Sequence, residues 1–150
     1  MSKLVAPHGG KGLVCCLLEG KALEDEKKKA AGLKQIEISS RAKGDLIMMG
    51  IGGFSPLKGF MNKADWKSVC EKMTLSDGTF WPVPVTLDIA AADAKGLKPG
   101  EEVALVRKGE IMATMKVEEV YEMTEADKKW ECELVFKGSG PDSEKFWEVA

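Results

Sequence analysis

The sequence predicts an α+β fold, and three observations carry that prediction. Val103 to Val106 is short and apolar enough for a buried strand, and it is followed by Lys108-Gly109 and the alternating residues Ile111, Ala113, Met115 and Val117, the pattern of a hairpin. Segments rich in helix formers stand on both sides of it. Pro82 and Pro84 interrupt a second apolar alternation, so one strand edge there is unable to carry a ladder, and a closed or partly closed small sheet would remove the exposed edge.

Taken in order, residues 1–12 read as an irregular lead-in punctuated by Pro7, Gly9, Gly10 and Gly12. Leu13 to Leu18 is a short apolar run. Glu19 to Ala31 reads as a helix supported by Glu24–Lys28 and Asp25–Lys29 pairs and ended by Gly32. Gln35 to Ile38 suits a strand with Ile36 and Ile38 on one face. Ser39 or Ser40 then caps a helix through Met49, whose buried stripe is Ala42, Leu46 and Met49.

That helix delivers the chain into Gly52-Gly53-Phe54-Ser55-Pro56-Leu57-Lys58-Gly59-Phe60-Met61, which is neither helical nor strand-like. Glycine and proline bend it, while Phe54, Leu57, Phe60 and Met61 are expected to bury it. Glycine richness invites a phosphate-loop reading, but neither the spacing nor a Lys-Ser or Lys-Thr pair is present, so a structural wedge is expected. A helix from Asn62 follows, with Trp66, Val69, Cys70 and Met73 on one face.

Ser76-Asp77-Gly78 is a turn, and Thr79 to Ile89 reads as a strand with Trp81, Val83, Val85, Leu87 and Ile89 facing the core. Leu97 to Gly100 is a second turn. Thr124, with Asp127 three residues on, begins a helix that Gly138 is expected to end. A last helical piece carries Phe146, Trp147 and Val149, and these aromatics call for a covering surface.

The run GGFSPLKGFMNKADW, continuing through KMTLSDGTFWPVPVTLD, closely resembles the N-terminal region of ATP sulfurylases (sulfate adenylyltransferases). The resemblance is strong over residues 36 to 90 and weak elsewhere. It implies a PUA-like small mixed β-barrel with flanking helices, spanning residues 1–150 as an N-terminal domain whose catalytic domain lies outside the chain. Enzymes of the family exchange ATP and sulfate for adenosine 5′-phosphosulfate and pyrophosphate, with magnesium accompanying the ATP. Their phosphate-handling groups lie in Gln-x-Arg-Asn, His-x-x-His and Gly-Arg-Asp segments, and none of these occurs here. Arg41 and Arg107 are the only arginines and match no such motif, so no catalytic, cofactor-binding or metal-binding residue is expected in this chain. The implied partners are the C-terminal catalytic domain of the same polypeptide and further copies in a homo-oligomer.

Composition narrows the remaining classes. A formal charge of -2 and a single tyrosine disfavour an RNA-binding module, the alternative that a PUA-like architecture raises. No nucleic acid and no membrane are expected as partners, since no run approaches the about 20 apolar residues of a spanning helix. Neither a signal peptide nor a CxxC pair is present, which points to a cytoplasmic chain with reduced thiols at Cys15, Cys16, Cys70 and Cys132, most of them buried. His8, the only histidine, lies in the glycine-rich lead-in and is not a catalytic candidate.

Overall fold

A computed structural model describes residues 5–10 and 12–135. The elements run α1 (Gly20–Ala30), β1 (Lys34–Glu37), α2 (Ser40–Gly50), α3 (Lys63–Lys72), α4 (Ala91–Ala94), β2 (Glu102–Arg107), β3 (Glu110–Lys116) and α5 (Glu125–Val135). They fall into two compact units, Met1–Asn62 with Val85–Val120, and Lys63–Pro84 with Tyr121–Ala150. Helices beside a mixed sheet bear out the α+β expectation.

The first unit holds the sheet, in the order β1-β2-β3. β2 is central, parallel to β1 (Ile36 opposite Leu105) and antiparallel to β3 (Leu105 opposite Ala113). Among the described residues the sheet is open, not closed into a barrel. The middle of its central strand is fully covered: Val103, Ala104 and Leu105 are inaccessible to solvent, as a strand with apolar layers on both faces must be. On one face Ile36, Ile38, Ala42, Val103, Leu105 and Val117 form the main core. On the other, Ala30 of α1 packs with Ala104 and Val106.

The hairpin forms because Lys108 (φ 51°) and Gly109 (φ 81°) both take the left-handed conformation that a two-residue primed turn requires. The alternation expected of β3 is broken at its start. Pairing shifts between Leu105–Ala113 and Val106–Ile111, so Met112 is an extra residue on β3. Ile111 therefore joins the Ala30 layer, while Ala113 and Met115 join the main core.

Local signals at α2 act as the sequence suggests. Ser39 Oγ accepts from Ala42 N–H at 3.1 Å, capping the helix. Ala42 and Met49 are buried beneath it. In α1 the ion pairs are Glu24–Lys27 and Glu26–Lys29, one residue closer than expected, and Lys29 also reaches Glu102 of β2 at 2.8 Å. Those contacts raise the Lys29 pKa, the Glu102 hydrogen bond first, and the hydrogen bond from Thr114 leads in lowering that of Glu26.

The expected strand over Thr79–Ile89 does not form. Only Phe80 bridges, to Thr74, across the Ser76-Asp77-Gly78 turn, where Asp77 Oδ1 accepts from Thr79 N–H at 2.9 Å. Beyond it the chain bends at Val83, between the two prolines, and the alternation is lost: Trp81 and Val85 are buried, but Val83 is 44% exposed. Proline removes the donors that would hold residues 82–84 in a ladder.

The second unit is built on α3 and α5. Trp66, Val69 and Cys70 are buried along α3 as expected, but Met73 leaves the stripe, with φ 55° just past the helix end. Trp66 stands edge-on to Trp130, with ring centroids 5.4 Å apart, and donates Nε1–H to Glu131 Oε2 at 2.8 Å. Thr124 and Asp127 form a reciprocal capping box at the start of α5. Gly138, Phe146, Trp147 and Val149 lie outside the described residues.

Candidate functional site

The glycine-proline segment after α2 is the feature most unlike ordinary core. Gly53 N–H donates to Met48 O at 2.8 Å and Leu57 N–H to Phe54 O at 2.8 Å, so the loop folds back on the end of α2. Gly52 has φ +80°, and a Cβ there would lie 2.9 Å from Cys15 Sγ and 3.1 Å from Leu13 Cγ. A Cβ on Gly53 would collide with Met48 Cε. Gly52 is thus required by its left-handed backbone, whereas the clash at Gly53 is with the flexible end of Met48, which can move.

Leu57 and Met61 are buried as expected, whereas Phe54 and Phe60 are only half-buried, Phe60 lying against the main core. Ser55 is buried, and its Oγ accepts from Val14 N–H at 3.1 Å. The hydroxyl therefore holds another segment of the chain. Ser55-Pro56 is a cis peptide.

The segment that Ser55 holds is the short apolar run 13–18, and the sequence predicts that most of the four thiols are buried. The structure corrects the expectation for the thiols. Residues 13–18 run beside the end of α2, with Cys16 N–H donating to Met49 O at 3.1 Å and Leu17 N–H to Gly50 O at 3.2 Å. This places Cys15 and Cys16 at the surface, with Leu13, Leu17 and Leu18 exposed beside them. Only Cys70 is buried and Cys132 half-buried. Burial first, then the carboxylates of Glu131 and Glu71, pushes the Cys70 thiol up to about 12.

The arginines are engaged structurally. Arg41 pairs with Asp88 at 2.6 Å, and Arg107 Nη1 donates to Ile38 O at 3.0 Å while facing Glu37. Burial raises the Asp45 pKa, with the Arg41 charge opposing it. His8 is exposed in the lead-in. Among the described residues no three His, Cys, Asp or Glu side chains come together to hold a metal ion. No helix among them is long and apolar enough to cross a membrane.

What the geometry offers is a pre-formed, largely apolar surface, and comparison with known proteins identifies its setting. The chain is 92% identical over 150 residues to a sulfate adenylyltransferase of Desulfovibrio desulfuricans, covering all of this chain and 36% of that protein. It is 53% identical over 139 residues to the sulfate adenylyltransferase of Thiobacillus denitrificans, covering 91% of this chain and 33% of that one. The chain thus spans about a third of the length of the curated relatives it matches. Among solved structures, one described as a hexameric APS kinase from Thiobacillus denitrificans superposes with a TM-score of 0.70 at 33% identity, over 79% of this chain and 24% of that one. The profile of the PUA-like domain matches residues 5–145. A match over nearly the full length, on a chain whose helices flank a small mixed sheet, means that the protein belongs to the PUA-like domain family.

Proposed function

We propose that residues 1–150 are the N-terminal, non-catalytic domain of a sulfate adenylyltransferase and that they brace the catalytic part of the same polypeptide. The observation that carries this reading is identity of 92% across the whole chain to an enzyme of which the chain covers only 36%. The longer polypeptide would interconvert ATP plus sulfate and adenosine 5′-phosphosulfate plus pyrophosphate, with magnesium accompanying the ATP. Such chemistry needs several donors fixed around the α-phosphate. This sequence has none of the family's three phosphate-handling motifs, and both its arginines are tied into carboxylates. We assign it no catalytic, cofactor or metal residue. A cytoplasmic homo-oligomer is part of the same proposal, supported by the hexameric description of the structural neighbour.

The test is an assay of pyrophosphate-dependent ATP formation from adenosine 5′-phosphosulfate. The 150-residue chain should show none and the longer polypeptide should be active. Turnover by the short chain, after contaminating enzyme is excluded, would overturn the assignment.

A further inference from the structure

Residues 13–18 and 47–51 contain no charged side chain, yet Leu13, Leu17, Leu18, Ile47, Met48 and Ile51 are all exposed, Leu13, Leu17 and Ile51 by more than half. The two segments are neighbours through the Cys16–Met49 and Leu17–Gly50 hydrogen bonds, so these exposed side chains lie on adjoining stretches of surface. A face this apolar marks an interaction site. Its backbone is also already anchored. Val14 N–H is held by Ser55, Cys16 and Leu17 by α2, and Leu13 and Cys15 lie against Gly52, so little ordering remains to be done on docking.

We propose that this face is where the part of the polypeptide beyond residue 150 packs, through an apolar surface of its own. The inference rests on the functional reading above. Two observations favour this occupant. About two thirds of the length of the curated relatives lies outside this chain, as coverage of 36% and 33% implies. The two segments carry no charged side chain of their own with which to select an ionic ligand or a nucleic acid. Covalent connection then gives the missing part a high effective concentration against any free partner.

Cys15 and Cys16 report on the face directly. In the native full-length polypeptide their alkylation by iodoacetamide should be at least about tenfold slower than in urea, as for buried Cys70. Native rates within about twofold of the unfolded rates would overturn the proposal. The occupant is then identified by photolysis of full-length protein with p-benzoylphenylalanine in place of Leu17, or of Ile51 should the first variant misfold. A cross-link to a peptide beyond residue 150 of the same copy supports the proposal. A cross-link to residues 136–150, or between isotopically light and heavy copies, overturns it. An active full-length enzyme with reactive Cys15 and Cys16 refutes the docking face alone, whereas an inactive one refutes the functional reading whatever its thiols do.

Discussion

The Ser55 hydroxyl accepts a hydrogen bond from the Val14 backbone N–H at 3.1 Å across 41 residues of sequence, tying the apolar lead segment to the loop that follows α2. Ser55 is 7% exposed, so a methyl group in its place leaves a part-buried N–H without its protein acceptor. Ser55→Ala should cost about 1–3 kcal/mol in urea denaturation of the chain. Nucleotide affinity of the longer polypeptide should not change, and a large rise in its dissociation constant would move the loop into the active site.

A second expectation separates two valines that sequence alternation treats alike. Val85 is 5% exposed and Val83 44%. Val85→Asp should lose about 3 kcal/mol or more by burying an unpaired charge, and Val83→Asp should stay within about 0.5 kcal/mol of the parent. Equal thermal shifts in the two variants would show that the bend at Val83 is misplaced.

That pair also shows where sequence reading reached its limit. The Ser39 cap, the Lys108-Gly109 turn and the Thr124–Asp127 box were legible because each is decided within about four residues of chain. The Thr79–Ile89 segment was not, since a period of two becomes a strand only if a partner edge accepts it, and two prolines leave little to accept. Met112 shifts the parity of β3 through a pairing choice made by β2, a non-local event. The surface position of Leu13 to Leu18 was hidden for another reason. An apolar run looks the same whether its own domain buries it or a neighbouring part of the molecule does.

Asp127 should titrate below an ordinary aspartate. The hydrogen bonds from the Thr124 side chain and backbone are the leading causes of its lowered pKa. With the folded value depressed, the stability it contributes is present above the unfolded pKa of about 3.9 and is lost as pH falls through the lower folded value. Thr124→Ala should raise the Asp127 midpoint in an NMR titration. An unchanged midpoint would remove the capping box as the cause.

Cys70 carries the opposite sign. Its folded pKa is raised to about 12, so its contribution is present below the unfolded thiol value of about 8.5 and declines as pH rises toward the folded one. Stability of the chain should therefore fall above about pH 8.5, and Cys70→Ala should flatten that decline while lowering stability at neutral pH. At pH 9 the 150-residue chain should release Cys15 and Cys16 to a thiol reagent promptly, and Cys70 only on unfolding. Prompt reaction of Cys70 in the folded chain would contradict its burial.

Met61 N–H donates to Val85 O at 2.8 Å, and Val85 N–H points back at Met61 Sδ at 3.4 Å. The excursion over residues 63–84 thus leaves the first unit and returns to it beside a backbone clasp. With its ends already joined, that excursion behaves as a closed loop in polymer terms, and doubling its length would add only about 0.6 kcal/mol of closure entropy. Lengthening at the Ser76-Asp77-Gly78 tip is consequently a change the sheet-bearing unit can absorb, which makes that turn a natural port for inserting a reporter peptide.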